Sequence, residues 1–209
     1  FVEPFVGGGA IFFALSPRRS ILSDINSELI DLYRGLRRDP FKLWELFQSF
    51  PSNKKAYYKI RSSEFEDLPS RAARTLFLNR TCFKGMWRHN AEGQFNVGYG
   101  GQERRWVISK ETLIGVSKLL NRASLKCNDF EDVIDACLEG DFIFVDPPYK
   151  PNAREMIHDH YVHSRFNFDG HKRLASALKR ASRRGIKWAM TTSSHPDIVQ
   201  LFRSNIVRV

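Results

Sequence analysis

Asp146-Pro147-Pro148-Tyr149 follows directly on the apolar run Phe142-Ile143-Phe144-Val145. Two consecutive prolines fix φ twice and remove two backbone donors, which gives a rigid turn with available carbonyls. An acid before the turn and an aromatic after it suit one difficult reaction, alkylation of an exocyclic amine on a heteroaromatic base. The lone pair of such an amine is delocalised into the ring, so it is a poor nucleophile. Accepting both amine hydrogens, on the Asp146 carboxylate and the Pro147 carbonyl, would draw that lone pair toward tetrahedral geometry while Tyr149 stacks on an extruded base. A methyl group presented on a sulfonium would depart from a neutral thioether, so no general acid is required. The plain alternative is a surface turn ended by an aromatic.

Three other segments offer complementary chemistry. Glu3-Pro4-Phe5-Val6-Gly7-Gly8-Gly9-Ala10 places glycines where a strand would turn into a helix, and glycines there let the backbone approach a ligand closely. Many tight turns share that composition. Asp24 stands fifteen residues beyond Gly9, at the end of the run from Ser20, where a carboxylate can accept from two ribose hydroxyls. It could equally cap the helix that begins near Asn26. Asp129-Phe130 could bond an adenine amine and cover its ring. Cys82, Cys127 and Cys137 are too few and too irregularly spaced for a disulfide framework or a zinc site, and fit small apolar residues in a reducing compartment such as the cytoplasm.

These segments need a scaffold, and the pattern supplies one. Ser20 to Asp24, Ser124 to Cys127, Phe142 to Val145 and Ile186 to Met190 read as strands. Asn26 is expected to cap a helix with Leu29, Ile30, Leu32, Tyr33 and Leu36 on its apolar face. Asp39-Pro40 opens a second helix, carrying Phe41, Leu43, Trp44, Leu46, Phe47 and Phe50. Pro51 and Pro69 punctuate two more, through Tyr57-Tyr58-Lys59-Ile60 and Ala72 to Leu78. Residues Lys84 to Trp106 read as a hairpin or long loop, with a strand at Gln94 to Val97. Phe168 to Arg184 is amphipathic, with Leu174, Ala175, Ala177 and Leu178 inward. Strands alternating with helices predict an α/β fold, a doubly wound and mainly parallel sheet. Ligands bind such sheets beyond the carboxyl ends of the strands, where the four segments fall.

The chain of 209 residues is 42% hydrophobic, a globular composition, and carries a net charge of +10. From Arg34 to Lys110 there are sixteen Lys and Arg against seven Asp and Glu, so nearly the whole excess lies in one block. Such a block favours a polyanion partner, with strongly salt-dependent binding. No apolar run approaches the roughly 20 residues of a membrane span, and no metal or membrane partner is expected.

Motif order and wording resemble the Dam-type DNA adenine-N6 methyltransferases across essentially the whole chain. The resemblance implies a Rossmann-like methyltransferase fold, with S-adenosylmethionine as cofactor and double-stranded DNA as substrate. Glu3, Pro4, Phe5, Gly7, Gly8 and Gly9 are similar to the family's cofactor loop, Asp24 with Ile25 to its ribose-binding acid, and Asp129-Phe130 to its adenine-side pair. Asp146, Pro147, Pro148 and Tyr149 match the catalytic motif, with Asp146 also facing the cofactor. Leu78 to Asn90, with Gly93-Gln94-Phe95-Asn96-Val97, resembles the DNA-contacting hairpin. There Arg88 would read a base bidentately, Phe83 would wedge beside the flipped base, and Lys84 and Asn90 would contact DNA. Tyr161, Phe166 and His171-Lys172-Arg173-Leu174 resemble the segment lining the target-base pocket. The implied organisation is a catalytic domain of residues 1–37 and 110–209, with residues 38–109 inserted for target recognition. A cognate restriction endonuclease is a further implied partner, and a bacterial or phage source fits.

Both ends read as cut strands, so the family's N-terminal cofactor contacts and C-terminal hairpin are expected outside this sequence. Ser193-Ser194-His195 stands where the family often has Ser-Asn, and Gly98 where Pro is common. Cytosine N4 methylation poses the same chemical problem as adenine N6. Methylation of RNA or of protein glutamine typically goes with Asn in place of Asp146. A DNA-binding remnant without turnover is a rival from another class. A nicotinamide oxidoreductase, suggested by the glycines and Asp24, leaves the proline turn and the basic block unexplained.

Overall fold

Short apolar runs form the strands of this protein, and polar side chains stop or start its helices. The computed structural model describes residues 1–51, 53–90, 92–101, 108–149 and 166–203. Among them the order is β1 (Val2–Glu3), α1 (Ala10–Leu15), β2 (Ser20–Ser23), α2 (Ser27–Arg38), α3 (Pro40–Ser49), α4 (Lys54–Ser62), α5 (Leu68–Thr81), α6 (Lys110–Leu120), β3 (Ala123–Lys126), α7 (Phe130–Asp135), β4 (Phe142–Val145), α8 (Phe168–Arg183), β5 (Lys187–Met190) and α9 (Pro196–Leu201). Asn26, Asp39, Asn53 and Asp67 each accept a hydrogen bond from a first-turn amide of α2 to α5, satisfying donors that have no intrahelical partner. Pro40 and Pro69 sit in the first turns, where a missing N–H costs nothing.

The strands form one parallel sheet in the order β3-β2-β1-β4-β5. The expected α/β, Rossmann-like architecture is therefore present. β1 pairs with β2 through Val2↔Ile21 and Glu3↔Leu22, and with β4 through Val2↔Ile143. β4 and β5 run in constant register from Phe142↔Lys187 to Val145↔Met190. Strand order reverses at β1, and the crevice at such a switch point is where open α/β sheets bind ligands.

The described residues fall into two compact units. The first comprises Phe1–Val6, Ile21–Ile25 and Asn128–Val209. Its core gathers Val2, Ile143 and Val145 from the sheet with Val133, Ile134, Leu174, Leu178 and Ile198 from α7, α8 and α9. The second comprises Gly7–Ser20 and Asn26–Cys127, and so contains the whole 38–109 segment. Helices α2 and α5 pack closely in it, since a Cβ on Gly35 would come within 2.5 Å of the Ala72 methyl. Any larger residue at position 35 would force these helices apart.

Gln94 to Val97 does not form the expected strand. The segment from Cys82 to Gly101 is a hairpin held by single bridges, Cys82↔Tyr99 and His89↔Phe95. The Val97 carbonyl accepts from the Tyr57 hydroxyl at 2.9 Å and from Arg61 at 3.1 Å, so side chains of α4 take the place of a strand partner. The expected strand at Ile206–Val209, and Tyr161 and Trp106, lie outside the described residues.

Ion pairs brace each unit. In the second, Glu28 of α2 accepts from Arg74 at 2.9 Å and pairs with His89 at 2.7 Å, which ties the hairpin to two helices. Burial pushes the Glu28 carboxyl up, but His89 and Arg74 outweigh it and hold the carboxyl below its ordinary 4.5. In the first unit, a hydrogen bond from Arg180 lowers Glu131 against a smaller rise from burial, with Arg173 assisting. Both folded values lie below the ordinary 4.5, so the stabilisation is complete above that pH and is lost as pH falls through the folded values. Denaturation midpoints measured across this window should fall with acidification. A midpoint that stays level there would show that these pairs contribute nothing.

Candidate active site

Residues matched to catalysis meet at the carboxyl edge of the sheet within the first unit. From the registered pair Val2↔Ile143, three further residues bring the two chains to Phe5 and Asp146. On the other side of β1, the Val6 amide donates to the Ser23 carbonyl at 2.8 Å, which carries the pairing to the residue before Asp24. Glu3 is 3% exposed at the end of β1, a deeply buried acid at the switch point. Asp24 is half-buried, and Ile25 beside it is 70% exposed, an apolar side chain held out at the sheet edge. Asn26 caps α2, its side chain accepting from the Glu28 and Leu29 amides.

Val6 leads directly into the glycine segment, which belongs to the second unit. Gly7 and Gly9 have φ of 46° and 68°, in the left-handed region that favours glycine. The Gly7 carbonyl accepts from the Tyr33 hydroxyl at 2.6 Å, which fixes the bend. A Cβ on Gly7 or Gly8 would meet nothing within 4 Å, so this backbone borders open space.

Asp129 caps α7 by accepting from the Glu131 amide at 2.9 Å, and it accepts from Arg173 at 2.7 Å, both on Oδ1. Phe130 is 5% exposed. Its ring lies 5.1 Å from Phe5 and 5.7 Å from Phe166, with the Arg173 guanidinium 4.9 Å over it. His171, in the first turn of α8, is buried with its ring 4.7 Å from Phe166. These aromatics make one packed wall within the first unit.

Asp146 itself is exposed, while Pro147 is buried and anchors the turn. Tyr149, 45% exposed, donates its hydroxyl to Asp146 Oδ1 at 2.9 Å. A hydrogen bond with Thr191 pulls the Tyr149 phenol down, but burial and the Asp146 carboxylate together outweigh it and raise the phenol above its ordinary value. Thr191 donates to the same Asp146 Oδ1 at 2.5 Å. Sequence reasoning missed Thr191, although a signal was present: it is the first residue after β5, as Asp146 is the first after β4. Two parallel neighbours bring such residues to one edge. Thr192 Oγ1 and Ser193 Oγ, next in the chain, are buried with no hydrogen-bond partner among the described residues.

The residues matched to DNA contact cluster in the second unit. Phe83 to Gly85 form a short 3-10 turn in which Phe83 is 48% exposed and Lys84 has φ 54°. Arg88 donates from Nε to Asn96 Oδ1 at 2.9 Å, and the two residues are joined again by the Asn96 amide to the Arg88 carbonyl at 3.0 Å. The Asn90 carboxamide is engaged within the loop, accepting from the Gln94 amide at 2.8 Å and donating to Gln94 Oε1 at 3.2 Å. Among the described residues no cluster of His, Cys, Asp and Glu could hold a metal ion. None of the described helices is long and apolar enough to cross a membrane.

Comparison with known proteins identifies the family. The model of the D12 class N6 adenine-specific DNA methyltransferase family matches residues 1–209. The chain is 36% identical to the type II methyltransferase M1.LlaDCHI of Lactococcus lactis subsp. cremoris, over 97% of this chain and 75% of that protein. It is 38% identical to the DNA N-6-adenine-methyltransferase of Escherichia phage P1, over 100% of this chain but 28% of that longer protein. A DNA adenine methylase of Vibrio cholerae is 30% identical over 99% of this chain and 78% of its own length. The match sets aside cytosine N4 and nicotinamide chemistry. With the proline turn, its acid and the glycine segment all at strand ends, the chain belongs to the D12 class of N6 adenine-specific DNA methyltransferases, enzymes that methylate adenine in DNA.

Proposed function

We propose that this chain methylates adenine N6 in double-stranded DNA with S-adenosylmethionine as donor, after extruding the target base. The convergence of Glu3, Asp24 and Asp146 on one sheet edge carries this reading. The residues fit the cofactor: an open glycine backbone with Gly7 and Gly9 in left-handed conformations, a half-buried acid in Asp24, and an exposed apolar Ile25. Glu3, Pro4, Phe5, Asp24, Ile25, Asp129 and Phe130, with Gly7 to Gly9, would hold it. When bound, S-adenosylmethionine supplies an electrophilic methyl group on a sulfonium.

The chain's own residues then handle the amine. The Asp146 carboxylate and the Pro147 carbonyl accept the two N6 hydrogens and localise the lone pair on nitrogen. The Tyr149 ring, nearly half exposed, stacks on the extruded base and excludes water from its face. The 38–109 segment serves as the target-recognition subdomain. Phe83 wedges into the stack, Lys84 and Asn90 contact the backbone or the unpaired partner, and Arg88 presents its terminal nitrogens to a base edge. The type II methyltransferase among the relatives favours a restriction endonuclease of the same site as the counterpart.

Incubating the full chain with duplex DNA and methyl-labelled S-adenosylmethionine, then digesting to nucleosides, tests the reading. Label in N6-methyladenine supports it, and label in another nucleoside or none rejects it. Arg88→Ala should relax discrimination at one base position by about 10- to 100-fold, the range for a lost bidentate contact. Mapping methylated adenines at single-base resolution checks this; an unchanged site would remove Arg88 from readout.

A further inference from the structure

We infer that Thr191 is a positioning residue for the methylation step. It fixes one oxygen of Asp146 so that the other, Oδ2, faces the substrate amine. This rests on the proposed role of Asp146 and goes beyond it by naming what aims the carboxylate. β4 and β5 pair with a constant offset through Val145↔Met190, so the next rank sets Asp146 beside Thr191. The Thr191 amide donates to the Val145 carbonyl at 3.0 Å, continuing the ladder one step past β5. The backbone at position 191 is therefore fixed by the sheet, and a β-branched side chain there has few χ1 rotamers. Its hydroxyl reaches Asp146 Oδ1 at 2.5 Å.

A carboxylate attached at a turn can rotate about its Cβ–Cγ bond and offer either oxygen, or a mixture of orientations. Two donors on Oδ1, Thr191 and the Tyr149 hydroxyl, remove that freedom. They differ in durability. Tyr149 must present its ring to the base and can release its hydroxyl contact as it moves, whereas Thr191 is held by the ladder. Thr191 thus keeps Oδ1 occupied while the base is bound, and the amine meets a single acceptor in one orientation. Reactions that depend on an amine lone pair aligned with an incoming methyl group are sensitive to such orientation.

The test compares Thr191→Val, Thr191→Ser and Asp146→Asn in the full chain, using duplex DNA that the wild-type protein methylates. Val keeps the branched shape and removes the hydroxyl, and Ser restores it. The expected result is a single-turnover methyl-transfer rate lowered roughly tenfold in Thr191→Val, as for a lost hydrogen bond to a charged group. DNA affinity, S-adenosylmethionine affinity and melting temperature should stay at wild-type values, and Thr191→Ser should recover most of the rate. A wild-type rate in Thr191→Val alongside an inactive Asp146→Asn overturns the role of Thr191 alone. A loss in Thr191→Val that serine does not restore, or that follows lowered melting, also overturns it. An active Asp146→Asn removes the catalytic reading on which the inference stands.

Discussion

Asp146→Asn should leave DNA binding intact and lower methyl transfer by about 10²- to 10³-fold, comparable with the loss of a preorganised electrostatic contact. The structure says why a near-isosteric change should matter so much. Thr191 and Tyr149 both donate to Oδ1, so an amide at this position would turn its carbonyl oxygen toward them. Its NH2 group would then face the incoming N6 amine, donor against donor. The amine would lose its acceptor and keep its lone pair in the ring. Single-turnover transfer measured beside DNA affinity checks both halves of the expectation. Wild-type transfer would show that the carboxylate does not handle the amine, and a parallel loss of DNA binding would show that Asp146 acts through the fold.

Phe77→Ala should be the most damaging change among the aromatics of the second unit. Phe77 is 0% exposed, with its ring 5.3 Å from Phe50 and 6.3 Å from Tyr57. Removing it leaves a cavity that α3, α4 and α5 cannot all close, at a cost of about 3–5 kcal/mol. Against a total stability of about 5–15 kcal/mol that is a large fraction, and melting should fall by roughly 6–20 °C. A functional loss follows below the melting point. Tyr57 leans on Phe77 and holds the Val97 carbonyl with its hydroxyl, so a looser Tyr57 frees one arm of the hairpin that carries Arg88. Weaker DNA binding at temperatures where the variant remains folded is therefore expected. Unaltered melting by calorimetry would mean that the surrounding aromatics refill the space.

Much of this site could be read before any coordinates. The strands at Ser20, Ser124, Phe142 and Ile186 announced themselves as apolar runs, and each ends near a residue with chemistry to offer. Helices α2 and α3 carried both a polar cap and an apolar face and α8 an apolar face, so their limits were legible to within a few residues, whereas α4 and α5 were marked only by prolines. The helices not anticipated, α6, α7 and α9, lacked one signal or the other. α7 and α9 are six residues long, and the stripe of α6 at Leu113, Ser117 and Leu120 is interrupted by serine. Gln94 to Val97 had strand-like composition but found side chains of α4 as partners, and tertiary context overrode the local pattern. The pairs that brace the site were harder still. Thr191 with Asp146, Asn96 with Arg88, and His89 with Glu28 join residues whose roles become visible only when register or loop closure brings them together. Types and spacing announced the reacting groups; the groups that hold them steady required the fold.

Lys84 adopts a backbone conformation that costs an L-residue about 1–2 kcal/mol relative to glycine. The turn holds that conformation in place before any nucleic acid arrives, through the Phe83 amide on the Gly98 carbonyl and the Met86 amide on the Phe83 carbonyl. On the proposed DNA contact, docking would find this turn already shaped, and the entropy of ordering it would not be subtracted from affinity. The same arrangement implies that an ammonium at this position repays its conformational penalty elsewhere, because a glycine would have sat there without strain.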